Sequence, residues 1–421
     1  MGLGFNMKLL FLSILASLLL SGAKCETTNF DGQESLLEES THRLQVPALF
    51  VFGDSLLDAG TNNYFPSFLK ADHEPYGKTH FHKPTGRWTN GRTVADFFAE
   101  KLGLNFPEPY LKPRSKGNIL QGVNYASGGS GVFRTTGENQ KVIPFPDQIF
   151  QFNQTRISIA ETLKSAEAAE HLISKSLFLI SIGANDLMGY IRSPQPPPFD
   201  LFLQNLTSTL EDKVSHLYRA GGRKFMLFGL APLGCVPAIL VATNSRDGKC
   251  YEPANKLATV FNTVLEQLVL LRFPKVFPEI KAIVGKSYET VEELVANGKA
   301  HGFTGGLNAC CGYGLYNAEV QCGFSPDVIK NPTYNLCQDP GTHVFWDFYH
   351  PTERVYSIVA KKYWNGDVNV VAPMNLKTLI LEFRNSPADL RVILCPKWIS
   401  RAFTSTKCRL PSRFPISEFP S

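Results

Sequence analysis

The feature that most constrains this chain is a recurring pattern: a short, wholly apolar run that stops at a polar or Gly-containing turn. Val46 to Phe52 (V-P-A-L-F-V-F) ends in Gly53-Asp54-Ser55. Leu177 to Ile182 (L-F-L-I-S-I) ends in Gly183-Ala184-Asn185-Asp186, and Lys224 to Leu230 ends in Ala231-Pro232-Leu233-Gly234. Lys281 to Val284 is a weaker version of the same run. A brief continuous apolar run closed by a turn is the pattern of a strand buried on both faces. Helical spacing separates the runs, around Thr93 to Leu102, Leu203 to Ala220 and Asn255 to Leu271. Strands alternating with helices predict an α/β fold built on a mostly parallel sheet. In such sheets ligand sites gather at the carboxyl ends of the strands, which is where the polar turns fall.

The chain is long enough, at 421 residues with 43% hydrophobic content, to bury one large core. Its first 25 residues read as a secretory signal. Lys8 precedes an apolar run from Leu9 to Leu20, and the small residues Ser21, Gly22 and Ala23 follow, with cleavage expected near Ala23 or Cys25. That run is short for a bilayer span, so a secreted location, extracellular or in the cell wall, is expected rather than a membrane anchor. Residues 26–45 read as a flexible polar leader, 46–375 as the main domain and 376–421 as a basic tail. The tail holds eight Lys or Arg against three Asp or Glu, and Lys8 and Lys24 sit in the signal. Of the net +5, the tail therefore carries five and the signal two, which leaves about −2 on the body. A body of that charge gives no support to nucleic-acid binding.

Secretion decides how the nine cysteines read. In an oxidising compartment they favour disulfides. Cys235 and Cys250 flank one short loop and form the clearest pair. Cys310, Cys311, Cys322 and Cys337 cluster in a Gly- and Asn-rich stretch whose pairing the spacing leaves open. A zinc site is disfavoured there because Cys310 and Cys311 are adjacent, without the usual spacer. Secretion also makes the sequons at Asn153 and Asn205 candidate glycosylation sites.

Ser55, just beyond a buried strand at a glycine turn, has the placement of a nucleophile. It is not a G-x-S-x-G elbow, because Asp54 precedes it. A serine hydroxyl needs a base, and His350 in F-W-D-F-Y-H-P has Asp347 three residues before it, close enough to reach its Nδ1. Acyl transfer also needs oxyanion donors. Asn185 offers a side-chain amide, and the Gly-rich turn Gly122 to Gly129 offers backbone N–H groups. Asp54 is expected to hold the nucleophile turn. His73, His80 and His82, with Asp72 and Glu74 nearby, read as a surface loop near the cleft rather than a metal site. Arg87 and Arg92 read as structural or rim residues.

Taken together, these segments resemble the plant-type GDSL esterase/lipase family of the SGNH-hydrolase superfamily. The resemblance runs from Pro47 to Asn375 through V-F-G-D-S-L-L-D-A-G-T-N-N-Y (Val51 to Tyr64), P-T-G-R-W-T-N-G-R (Pro84 to Arg92), G-V-N-Y-A-S-G-G-S-G (Gly122 to Gly131), S-I-G-A-N-D (Ser181 to Asp186), G-G-R-K-F (Gly221 to Phe225), A-P-L-G-C-V-P (Ala231 to Pro237), C-C-G-Y-G-L-Y-N (Cys310 to Asn317) and F-W-D-F-Y-H-P-T-E (Phe345 to Glu353). It implies a three-layer α/β/α sandwich of flavodoxin-like type. It puts the nucleophile on Ser55, the base on His350, the orienting carboxylate on Asp347 and the oxyanion donors on Ser55 N–H, Gly129 and Asn185. It implies an ester substrate, lipid or acylated cell-wall or small-molecule ester, with no cofactor and no metal. An acyltransferase would share the acyl-enzyme, and a secreted binding or defence protein would use the cleft without turnover. The family usually ends near Met374-Asn375-Leu376, so the basic tail is either a lineage-specific extension or a misread exon boundary.

Overall fold

A computed structural model describes residues 46–113, 116–323 and 334–381. The signal and leader, Cys25, Cys395, Cys408 and most of the tail lie outside the described residues. The strands are β1 (Leu49–Gly53), β2 (Gly122–Asn124), β3 (Leu177–Ser181), β4 (Lys224–Phe228), β5 (Lys281–Gly285), β6 (Cys311–Gly312), β7 (Asn335–Leu336) and β8 (Val371–Ala372). The main sheet has the order β2-β1-β3-β4-β5-β8. Its first five strands are parallel, and β8 closes the β5 edge in antiparallel sense. The 2-1-3-4-5 core is the flavodoxin-like doubly wound order. The strand order reverses between β1 and β3, which opens a crevice at their carboxyl ends.

Every residue of β1, β3 and β4 is buried, as their unbroken apolar runs require when helices cover both faces. β5 is buried only at its carboxyl end, which explains its weaker sequence signal. The helices are α1 (Val94–Leu102), α2 (Phe145–Leu163), α3 (Ala166–Lys175), α4 (Ala184–Arg192), α5 (Phe199–Arg219), α6 (Pro237–Ala242), α7 (Glu252–Gln267), α8 (Phe273–Val276), α9 (Ser287–Ala296), α10 (Glu353–Asn365) and α11 (Leu376–Leu381). They form two packed groups: α1, α9, α10 and α11, and on the other side α2, α3, α5 and α7. The result is the expected three layers.

Two local readings change. Gly122 to Asn124 is not turn but β2, a strand too short to announce itself, and the turn begins after it. The domain does not stop at 375: α11 buries Leu376, Leu379 and Ile380 against the core. Both sequons lie inside helices. Asn205 is exposed on α5 and Asn153 is half-buried on α2.

Candidate active site

The turn after β1 is built on Gly53. Its φ is +144°, and a Cβ there would lie 2.1 Å from the Ser181 carbonyl oxygen, so only glycine lets β1 run this close to β3. The buried Gln148 amide clamps the Gly53 peptide from α2. Gly53 N–H donates to its Oε1 at 2.9 Å, and its Nε2 donates to Gly53 C=O at 2.8 Å. Asp54 N–H then bonds to Ser181 C=O, and Asp54 Oδ1 accepts from Leu56 N–H at 3.0 Å. Asp54 therefore holds the turn that presents Ser55. Burial pushes its carboxyl from an ordinary 3.8 up to about 7, and its Oδ2 has no hydrogen-bond partner among the described residues.

Ser55 Oγ lies 2.8 Å from His350 Nε2, across 295 residues of sequence. His350 Nδ1 lies 2.7 Å from Asp347 Oδ1 and 2.9 Å from Oδ2. Both partners of this pair are buried. Asp347 Oδ1 also accepts the backbone N–H groups of Tyr349 and His350, each at 2.8 Å. Its Oδ2 accepts the Tyr76 hydroxyl at 2.7 Å. One carboxylate thus orients the imidazole and is itself fixed from three directions.

Asn185 opens α4 directly after β3. Its Nδ2 donates to Ser130 C=O at 2.9 Å, which locks the amide and leaves a second N–H. The two neighbouring glycines in the turn after β2 differ in their hydrogen bonding. Gly128 N–H is taken up by Asp58 Oδ2 at 2.9 Å. Gly129, at φ +85°, and Ser55 have no acceptor for their N–H groups among the described residues. The carboxylate of Asp58 ties the two turns together, since its Oδ1 also accepts Gly60 and Thr61 N–H. Asp186 does the same for the next loop, accepting Val132 and Phe133 N–H and the Thr136 hydroxyl. Burial raises the pKa of both Asp58 and Asp186.

The Asp347–His350 loop lies off the sheet and is held by the excursion from Ala71 to Thr93. Trp88 packs its ring 5.1 Å from the His350 ring. Thr89 Oγ1 donates to Pro351 C=O, and Asn90 Oδ1 accepts Glu353 N–H at the start of α10. From the other side, Cys310 and Cys311 N–H bond to Phe345 and Trp346 C=O. The disulfides are Cys235–Cys250, Cys310–Cys337 and Cys311–Cys322. The first is the expected pair, and the other two settle the open cluster.

Sequence reasoning misses Tyr76, Trp88, Gln148, Asp58 and Asp186 as supports of the site. Tyr76 and Trp88 carry no local signal, because Asp347 and His350 are remote from them in sequence. Asp58 and Asp186 are visible within their motifs without a role. Arg87 forms a buried two-point ion pair with Asp96, and Arg92 bonds Glu353 and Glu100, so both arginines are structural. Of the three histidines, His82 contacts Lys78 C=O and His80 packs on Phe81. One set of three possible metal ligands converges among the described residues, Cys310, Cys337 and His343, and its two sulfurs are bonded to each other.

This is an α/β fold whose topological crevice collects a serine, a carboxylate-oriented histidine and polar donors. The family described as GDSL-like Lipase/Acylhydrolase matches residues 49–363. The chain belongs to that family and is a carboxylic ester hydrolase. GDSL esterase/lipase 6 of Arabidopsis thaliana is 37% identical over 343 residues, covering 79% of this chain and 90% of the relative. GDSL esterase/lipase 7 of the same plant is 34% identical over 348 residues, covering 80% and 93%. Among solved structures, a lipase from a goat rumen metagenome aligns over 75% of this chain and 94% of its own at 13% identity and a TM-score of 0.33. No described helix is long and apolar enough to cross a membrane.

Proposed function

We propose that this chain is a secreted esterase or lipase that hydrolyses carboxylic esters through an acyl-enzyme on Ser55. The observation that carries the reading is the continuous relay from Asp347 through His350 to Ser55 Oγ, each step within 2.9 Å. His350 Nε2 accepts the Ser55 proton as Oγ attacks the ester carbonyl. Asp347 holds Nδ1–H and stabilises the imidazolium. The tetrahedral oxyanion is met by Ser55 N–H, Gly129 N–H and the free Nδ2–H of Asn185. The intermediate then collapses, the C–O bond to the alcohol breaks, and His350 Nε2–H protonates the leaving oxygen. Water then attacks the acyl carbon as His350 takes one of its protons, and the second collapse breaks the bond from that carbon to Oγ, returns the proton from His350 to Ser55 and releases the acid.

Secretion is supported by the signal-like first 25 residues and by three disulfides, which suit an oxidising compartment. Exposed Asn205 is the better placed of the two glycosylation sites. Expression of the full chain in plant cells tests both points: processed, endoglycosidase-sensitive protein should reach the medium, and retention of Lys8 and the apolar run in a cytosolic product would overturn secretion. The catalytic reading is tested with p-nitrophenyl esters. Wild type should turn over and Ser55→Ala should not. Equal turnover by both, or none by folded wild type, would reject it.

A further inference from the structure

Two depressions of opposite character meet at Asn185. One is open, walled by Phe133, Tyr190 and Phe202, and as polar as it is apolar. The other is a cavity of about 100 Å3 that begins at Ser55 and His350 and is overwhelmingly apolar. Its walls include Leu56 beyond β1, Phe228 and Leu233 at the end of β4, Val355 and Val359 on α10, and Val291 on α9. These elements span the carboxyl edge of the sheet from β1 to β5. Three strand spacings of about 4.8 Å separate the two ends, so Val291 stands far from the serine. The wall also contains Asp54 and Tyr356, each with an oxygen that lacks a partner among the described residues, and those oxygens are fully covered. The remaining polar wall groups, on Ser55, Ser181, Asn185, Ser287, Tyr349 and His350, are few, and most of the lining is apolar.

We propose that this cavity is the acyl-chain pocket of the esterase, that it takes an unbranched hydrocarbon chain without hydroxyl substituents, and that Val291 and Val359 set the accepted length. The inference rests on Ser55 being the nucleophile. The physical ground is that each buried methylene leaves water, whereas a sugar or glycerol hydroxyl would find few hydrogen-bond partners on this wall. The polar alcohol portion of the ester is left to the open side.

The test uses the full chain carrying Ser55→Ala, so that turnover plays no part, and calorimetric titration with saturated carboxylates from butanoate to dodecanoate. Affinity should rise roughly fourfold per added methylene, equivalent to about 0.8 kcal/mol, and then stop rising. Val291→Phe and Val359→Phe should end the rise at a shorter acid while leaving butanoate binding intact, and Val291→Ala should extend it. A hydroxylated octanoate should bind more weakly than octanoate. Affinity independent of chain length, or a rise that none of the three variants moves, would overturn the pocket. In parallel, wild type is given p-nitrophenyl esters of increasing acyl length and alkyl acetates of increasing alcohol length. Selection along the acyl series supports the assignment, and selection along the alcohol series alone contradicts it. If folded wild type hydrolyses neither series, the serine-esterase reading fails, and the calorimetric arm still decides the pocket.

Discussion

The two halves of the site are held in different ways. Ser55, Gly129 and Asn185 stand on turns that leave neighbouring strands β1, β2 and β3, so the sheet register itself sets their spacing. Asp347 and His350 stand on a loop that belongs to no strand of the main sheet. That loop is positioned by side chains from the Ala71–Thr93 excursion and by backbone bonds from the disulfide-linked Cys310–Cys311 segment. The first half is preorganised by the core. The second is preorganised by a polar and aromatic jacket around one loop, and its support is correspondingly easier to damage without unfolding the protein.

The largest expected effect breaks the loop half at its centre. Asp347→Asn keeps the shape but disturbs the imidazole tautomer, and kcat for a p-nitrophenyl ester should fall about 10⁴-fold, as for the equivalent change in a serine protease. On the sheet half, Asn185→Ala removes one of the proposed oxyanion donors, and kcat should fall about 10²–10³-fold with KM little changed. If this loss exceeded that of Asp347→Asn, the relay would not be the dominant element. Tyr76→Phe removes a single hydrogen bond to the Asp347 carboxylate. A bond to a charged group contributes about 1.5–3 kcal/mol, so Tyr76→Phe should lower the melting temperature by a few degrees and also lower kcat, with Asp347 less firmly held, as a pH–rate series beside thermal melts would check.

The smallest effect concerns Asp54 and appears in stability. Its folded pKa of about 7 lies above the ordinary 3.8 because burial disfavours the charged form. The folded state is therefore favoured by its proton at low pH, and that advantage is lost as pH rises from about 4 through about 7. Asp54→Asn keeps the acceptor for Leu56 N–H and cannot ionise. It should melt a few degrees higher than wild type at pH 8, with a smaller gain at pH 5. A gain that is the same at both values, or larger at pH 5, would mean that the carboxyl is not the buried acid described here.

The difference between the halves also explains which parts of the site are legible in the sequence. The strands that carry Ser55 and Asn185 are readable because burial on both faces leaves an unbroken apolar run, and a polar turn marks its end. β2 is not, since three residues carry no pattern and its glycine reads as a turn. The 19 residues of α2, with Pro146 and many polar positions, give no clear helical signal, although Gln148 on that helix clamps the nucleophile turn. Asp347 and His350 stand out by their three-residue spacing and by family resemblance. The jacket that positions them is invisible in the sequence: nothing near Tyr76 signals a carboxylate 271 residues away. The boundary read at 375 falls short because α11 contributes only three core side chains as the basic tail begins.

The most direct test of the central claim is covalent labelling. Full-length protein is incubated with diethyl p-nitrophenyl phosphate, which phosphorylates an activated serine hydroxyl, and then analysed by intact mass and peptide mapping. One adduct on Ser55, forming in step with loss of esterase activity and absent from Ser55→Ala, is the predicted result. An adduct on another residue, or full activity remaining once Ser55 is labelled, would contradict it.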